Sequence, residues 1–159
     1  RLRSVRRHVE NDDMFLANYT DGLSDLPVND MIEVFRDSGK IACFVAVNPT
    51  ASFHITSTEA DGTVTAIEHI SKSGYRVNGG FFIFRHAIFD YLYAGEELVE
   101  QPFRRLIAEH QLLAYRYDGF WACMDTFKEK QQLEELFARG EAPWQIWREP
   151  AEGAFSAHK

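Results

Sequence analysis

Cysteine is scarce: two among 159 residues, so no disulfide framework can hold this chain. Neither Cys43 nor Cys123 has a second Cys or His at C-x-x-C spacing, and the six histidines show no H-x-H or H-x-x-x-H pattern, which argues against a zinc site. Long hydrophobic runs are missing too. The longest is Ile41–Val47, far short of the roughly 20 residues that cross a bilayer. No G-x-S-x-G, phosphate-loop or dinucleotide glycine pattern occurs. Positive charge is outweighed: 17 Lys and Arg against 24 Asp and Glu give a net charge of -7, which makes nucleic acid a poor partner. Internal repeats and low-complexity blocks are absent.

What is present is a core. Hydrophobic residues make up 45% of the chain and 13 residues are Phe, enough to close one ordinary domain and to exclude disorder. The basic opening, Arg1, Arg3, Arg6 and Arg7, has no apolar signal core behind it. Together with two unpaired cysteines this predicts a cytoplasmic protein. A start on Arg1 rather than Met suggests that the natural sequence begins further upstream.

Hydrophobic spacing gives an order of elements. Leu2, Val5 and Val9 predict an amphipathic helix over 2–10. Met14–Tyr19 reads as a strand ending at Thr20-Asp21-Gly22. A helix with Asn29 as N-cap and Gly39 as its stop follows, then the buried strand Ile41–Val47. Strand, helix, strand predicts a βαβ unit in a parallel sheet. Phe53–Glu59 and Thr63–Ile70 flank Asp61-Gly62, a hairpin signal. Phe81–Phe84 and Leu112–Tyr117 read as strands, and His86–Tyr93 and Pro102–His110 as helices. Thr126 caps a last helix through Ala138, with Gly140 beyond it. The expected architecture is α/β, a doubly wound, mostly parallel sheet with an appended antiparallel β region. Residues 1–147 form one domain or the C-terminal part of one, and 148–159 a loose tail.

Several residues stand out chemically. Asp21 follows a strand directly, where open parallel sheets meet their ligands, although an Asp-Gly pair also serves as an ordinary turn. Asp125 follows Phe120-Trp121 and precedes a helix cap, where a charge at the helix N-terminus is an alternative role. If the two converge, they form a hard-oxygen site suited to Mg²⁺. Asn78-Gly79-Gly80 allows a ligand close to the backbone, or forms a β-bulge. Cys43 and Cys123 read as packed thiols, and Tyr115, Tyr117, Phe120 and Trp121 as core rather than a stacking platform.

Taken in order, these pieces resemble the sugar-1-phosphate nucleotidyltransferases, and most closely the glucose-1-phosphate cytidylyltransferase branch. The matching stretches are Arg1-Leu2-Arg3, Phe15-Leu16, Tyr19-Thr20-Asp21-Gly22 and Asn78-Gly79-Gly80-Phe81-Phe82. Further on come Gln111-Leu112, Ala114-Tyr115, Asp118-Gly119-Phe120-Trp121, Met124-Asp125-Thr126, Leu133-Glu134 and Ala142-Pro143-Trp144. The run from Gly119 to Trp144 is the most specific. The resemblance implies transfer of a cytidylyl group from CTP to glucose 1-phosphate, giving CDP-glucose and pyrophosphate with Mg²⁺. It implies metal-binding roles for Asp21 and Asp125 and a place near the phosphates for Arg1. Tyr19, Glu68, His69, Asn78 and Gly79 match positions on the sugar side. Homo-oligomers are a family property, helped here by the Trp144 and Trp147 segment.

The departures lie on the sugar-phosphate side. The family's glycine-rich nucleotide loop has no counterpart in these residues. His69 stands where the family has a lysine that grips the sugar phosphate. Thr50-Ala51-Ser52-Phe53-His54 loses an arginine that His54 partly replaces, and Thr20 replaces a glycine before Asp21. These changes motivate a rival reading, a non-catalytic nucleotide-sugar-binding or regulatory homologue. A metal-dependent glycosyltransferase fits less well, because Leu23 stands where an Asp-x-Asp motif needs its second acid.

Overall fold

The structure, a computed structural model, describes residues 2–50 and 52–147. The predicted tail at 148–159 lies outside the described residues. The elements are β1 (Met14–Asn18), β2 (Gly22–Ser24), α1 (Val28–Ser38), β3 (Ala42–Val47), β4 (His54–Thr58) and β5 (Val64–His69). They continue with β6 (Val77–Arg85), α2 (Gln101–Ala108), β7 (Leu112–Tyr117), β8 (Trp121–Cys123) and α3 (Phe127–Ala138). Short 3₁₀ segments cover Leu2–His8, Ile70–Lys72 and His86–Tyr91.

β3 is apolar throughout because both faces of its sheet are covered. Its side chains alternate. Cys43, Val45 and Val47 join Met31 and Phe35 of α1 and Ile83 in one buried cluster. Ala42 and Phe44 face the other way, toward Phe82, Phe84, Ile88, Phe89, Phe103 and Leu106. Helical layers on both faces of one sheet are the doubly wound arrangement expected from the sequence.

The main sheet runs β1-β6-β3-β7. β6 pairs antiparallel with both β1 and β3, while β3 and β7 are parallel. Three of the four strands therefore point the same way. The βαβ unit holds in direction, but β1 and β3 are not neighbours. β6, entering from the appended hairpin, lies between them.

Hairpin β4–β5 turns at Asp61-Gly62 as expected. Gly62 has φ +89°, and the Asp61 side chain accepts from Thr63 N–H at 2.9 Å. The Thr126 expectation also holds. Its hydroxyl accepts from Glu129 N–H while the Glu129 carboxylate accepts from Thr126 N–H, the reciprocal box that satisfies orphan donors at a helix start. Gly39 ends α1 in the left-handed region at φ 65°. The N-cap position of α1, however, is Pro27, not Asn29, and no side chain caps it. The first segment is 3₁₀ rather than α. Leu2 and Val9 pack against the core, but Val5 is exposed.

Two short strands, β2 and β8, were hidden in the sequence. Each has three residues, too few for a period to show. Their antiparallel pairing, Gly22 opposite Cys123 and Ser24 opposite Trp121, ties the segment after β1 to the segment after β7.

Candidate active site

The chain turns out of β1 at Tyr19-Thr20-Asp21, and three other segments meet it there. Tyr19 N–H donates to Gly80 O at 2.8 Å. Met124 N–H donates to Asp21 O at 2.9 Å. That bond extends the β2–β8 pairing by one step, so Asp21 stands opposite Met124 and one position from Asp125 across the ladder. Adjacent strands lie about 4.8 Å apart. The local backbone thus brings Asp21 and Asp125, remote in sequence, to one strand edge.

Asn78-Gly79-Gly80 forms a bulge, the second of its two sequence readings. The β3–β6 register slips between Phe44 and Ala46, whose partners are Phe82 and Asn78. Gly80 has φ +77°, and a Cβ there would lie 2.6 Å from Cδ2 of Tyr19. The Asn78 side chain accepts from Gly80 N–H at 3.0 Å, fixing the turn. Gly79 carries its own constraint: a Cβ there would lie 2.7 Å from Val45 Cγ1. Its carbonyl accepts from Trp121 Nε1 at 2.8 Å. Bulges of this kind re-aim neighbouring side chains and recur beside functional sites.

An open cavity of about 800 Å³ lies over this junction. Tyr19 and Asp21 line it, together with Arg3, Phe82, Glu97 and the turn after Tyr93. The Tyr19 hydroxyl is pushed above its ordinary value, first by burial and then by the Glu97 and Asp21 carboxylates, against a hydrogen bond from Asn78. It therefore stays protonated at neutral pH and can donate.

Arg3, Glu97 and the 93–98 wall were not found from sequence. The wall is held by Glu96, which pairs with Arg105 of α2. The same guanidinium reaches Tyr91 O at 2.6 Å and stacks 4.4 Å over Tyr93. No motif announces such a clasp; its only trace is the acidic pair Glu96-Glu97 after a glycine.

Cys43 is buried as expected, and burial pushes its thiol up to about 12. Cys123 departs from the packed-thiol reading. It is half-buried, with Sγ 3.3 Å from Asp125 Oδ2. Burial, then the Asp125 carboxylate, raises its thiol to about 11. Cys123, Asp125 and Glu129 bring possible ligand atoms within 4.8 Å of one another, but the Glu129 carboxylate already serves the Thr126 cap. Tyr117 and Trp121 pack against the core, as expected.

Glu68 and His69 stand apart from this junction. Both are on β5, Glu68 opposite Ile55 and His69 opposite His54, and neither lines the cavity. Arg1 lies outside the described residues, as does Ala51.

Asp21 lines the cavity, whereas Asp125 does not, and the Asp125 carboxylate accepts from the Cys123 thiol. Among the described residues no helix is long and apolar enough to cross a membrane.

No protein-family model matches the chain. Curated proteins do. The glucose-1-phosphate cytidylyltransferase of Salmonella typhi is 33% identical over 148 residues, covering 92% of this chain and 58% of that protein. A Bacillus subtilis protein named probable glucose-1-phosphate cytidylyltransferase is 30% identical over 138 residues, 86% of this chain and 54% of its own length. The chain thus spans a little more than half the length of these relatives. Among solved structures, a Bacillus anthracis protein classed as a glucose-1-phosphate thymidylyltransferase, solved with sucrose, shares the fold. Its TM-score is 0.59 at 16% identity, over 89% of this chain and 59% of that one. Nearly the whole chain is thus similar in sequence to part of the glucose-1-phosphate cytidylyltransferases, and its fold is shared with the solved Bacillus anthracis protein.

Proposed function

We propose that this protein works in nucleotidyl transfer to a sugar 1-phosphate, with CTP as donor and glucose 1-phosphate as acceptor, yielding CDP-glucose and pyrophosphate. The observation that supports this most is the Met124–Asp21 backbone bond, which sets Asp21, a residue of the cavity wall, one ladder step from Asp125.

The acceptor phosphate is already a nucleophile, so no side-chain base has to activate it. What remains for the protein is positioning and neutralisation of charge on the transferring and leaving phosphates. Asp21 and Asp125 are the residues that would hold Mg²⁺, which supplies the charge neutralisation when bound. Tyr19, its hydroxyl protonated, donates toward a sugar or phosphate oxygen. Asn78 and the Gly79-Gly80 bulge hold Tyr19 in place. Arg3 brings positive charge to the cavity wall, and the resemblance gives Arg1 a place near the phosphates. The resemblance gives Glu68 to the sugar and His69 to its phosphate, both on the hairpin.

The test is pyrophosphate release from CTP and glucose 1-phosphate with Mg²⁺, on the protein at its natural length. Release that falls at least a hundredfold in Asp21→Asn supports the reading. No release above that variant, together with tight CDP-glucose binding in calorimetry, would replace it with the non-catalytic homologue that the His69 and Ser52 replacements motivate.

A further inference from the structure

The segment Asp118-Gly119-Phe120-Trp121 leads from β7 into β8, and its residues act as fastenings. The Asp118 carboxylate accepts from Arg76 Nη2 at 2.6 Å and from Asn48 Nδ2 at 3.0 Å. The same guanidinium donates to the carbonyls of Ala46 and Tyr117, at the ends of β3 and β7. A Cβ at Gly119 would overlap the Tyr117 hydroxyl, which donates to Asp25. The Phe120 carbonyl accepts from Ser24 Oγ at 2.7 Å and from Asp25 N–H at 3.3 Å. None of these bonds reaches the Asn78-Gly79-Gly80 bulge.

Trp121 does reach it. Its backbone belongs to β8, opposite Ser24, on the strand that runs toward Asp125. Its indole crosses to β6, where Nε1–H donates to Gly79 O at 2.8 Å. Gly79 and Gly80 are buried, and neither has a register partner on β1 or β3. The Gly79 carbonyl is therefore served from outside the main sheet, and a buried carbonyl deprived of its donor is costly. The bond sits behind the Asp21-Gly22 turn: a Cβ at Gly22 would lie 3.7 Å from Gly79 O and 3.8 Å from Trp121 Nε1.

We propose that Trp121 is a positioning residue, whose indole N–H locks the bulge that holds Tyr19 to the strand that leads to Asp125. The bulge holds Tyr19 through the bond from Tyr19 N–H to Gly80 O, and β8 is followed by Met124, whose N–H holds Asp21 O. The backbone joins these two anchor points through Tyr19-Thr20-Asp21, all exposed. The indole is a second tie, made on the buried side, and two ties fix a geometry that one exposed turn leaves free. Its consequence for turnover rests on the nucleotidyl-transfer reading above. There, a small misplacement of reacting groups lowers the rate far more than it weakens binding.

Replacing the indole of Trp121 by benzothiophene keeps its shape and removes the N–H. In the 159-residue chain, amide hydrogen exchange of Tyr19, Gly80 and Met124 is expected to speed up together, about tenfold, the equivalent of one buried hydrogen bond. Ala42–Val47 should stay protected. Exchange that changes at Gly80 alone, or at none of the three, would overturn the tie. Trp121→Phe, which also loses packing, should match the benzothiophene protein at these amides; a loss seen in Phe only would assign the effect to packing and overturn the role of the N–H. In the protein at its natural length, the benzothiophene replacement should lower kcat about tenfold and change the KM for glucose 1-phosphate less than twofold. An unchanged kcat, or a loss confined to KM, would overturn the positioning role. The expected exchange pattern in a parent protein that releases no pyrophosphate would leave the tie standing and overturn the nucleotidyl-transfer reading.

Discussion

Gly79→Ala separates packing from backbone strain at the bulge. The φ of Gly79 lies outside the left-handed region, so an alanine is acceptable to the backbone. The obstacle is steric. The new methyl would sit 2.7 Å from Val45 Cγ1, 3.1 Å from Trp121 Nε1 and 3.2 Å from Val47 Cγ1. Both valines are 1% exposed, in the cluster between α1 and the sheet, so neither can swing into solvent. Overpacking of a tight core typically destabilises by about 1–3 kcal/mol. Val45→Ala alone removes a buried side chain worth about 2 kcal/mol. In the double variant the added methyl occupies space the valine has vacated, so the losses do not add. Urea unfolding of the four proteins, with midpoints compared at a constant m-value, gives the cycle. A coupling of about 1 kcal/mol or more in favour of the double variant is expected. Additive losses, or a Gly79→Ala protein as stable as the parent, would refute the claim that this glycine is required by the core behind the site.

Further outcomes follow from the same structure. Phe35, 0% exposed at the centre of its cluster, should lose about 3–5 kcal/mol on truncation to Ala by the same denaturation assay. Cys43 is raised to about 12 from a reference of 9.0, so the folded state holds its thiol proton longer than the unfolded state does. Its contribution is whole below about pH 9 and is lost as pH rises toward 12. Cys43→Ala should flatten that alkaline decline in thermal scans; an unchanged slope would contradict the burial. Glu96→Gln should speed hydrogen exchange in 93–98, because the wall is held to α2 through the Arg105 clasp, with little change in β3.

What could be read beforehand was whatever a single segment encodes. Ile41–Val47 is apolar on both faces because it lies between two helical layers, and the sequence pattern says so directly. Asp61-Gly62, Gly39 and the Thr126–Glu129 box are local chemistry and appear where expected. Pairing between distant segments was not encoded that way. β6 separates β1 from β3 because a hairpin delivers it there, which no local period records. β2 and β8 are too short to alternate visibly, yet their register is what sets Asp21 opposite Met124, one residue from Asp125. The resemblance named those two residues, and the structure shows their backbones one ladder step apart. His54 and His69 were each noted singly; only the β4–β5 register makes them a pair.

The central claim, that Asp21 and Asp125 share one divalent cation, is tested most directly by Mn²⁺ titration of the chain, followed by electron paramagnetic resonance. Single Asp21→Asn and Asp125→Asn variants and the double variant complete the series. Each single change should remove most of the affinity, and the double should lose little more, as for two ligands of one ion. Parental affinity in either single variant, or independent losses that sum in the double, would contradict it.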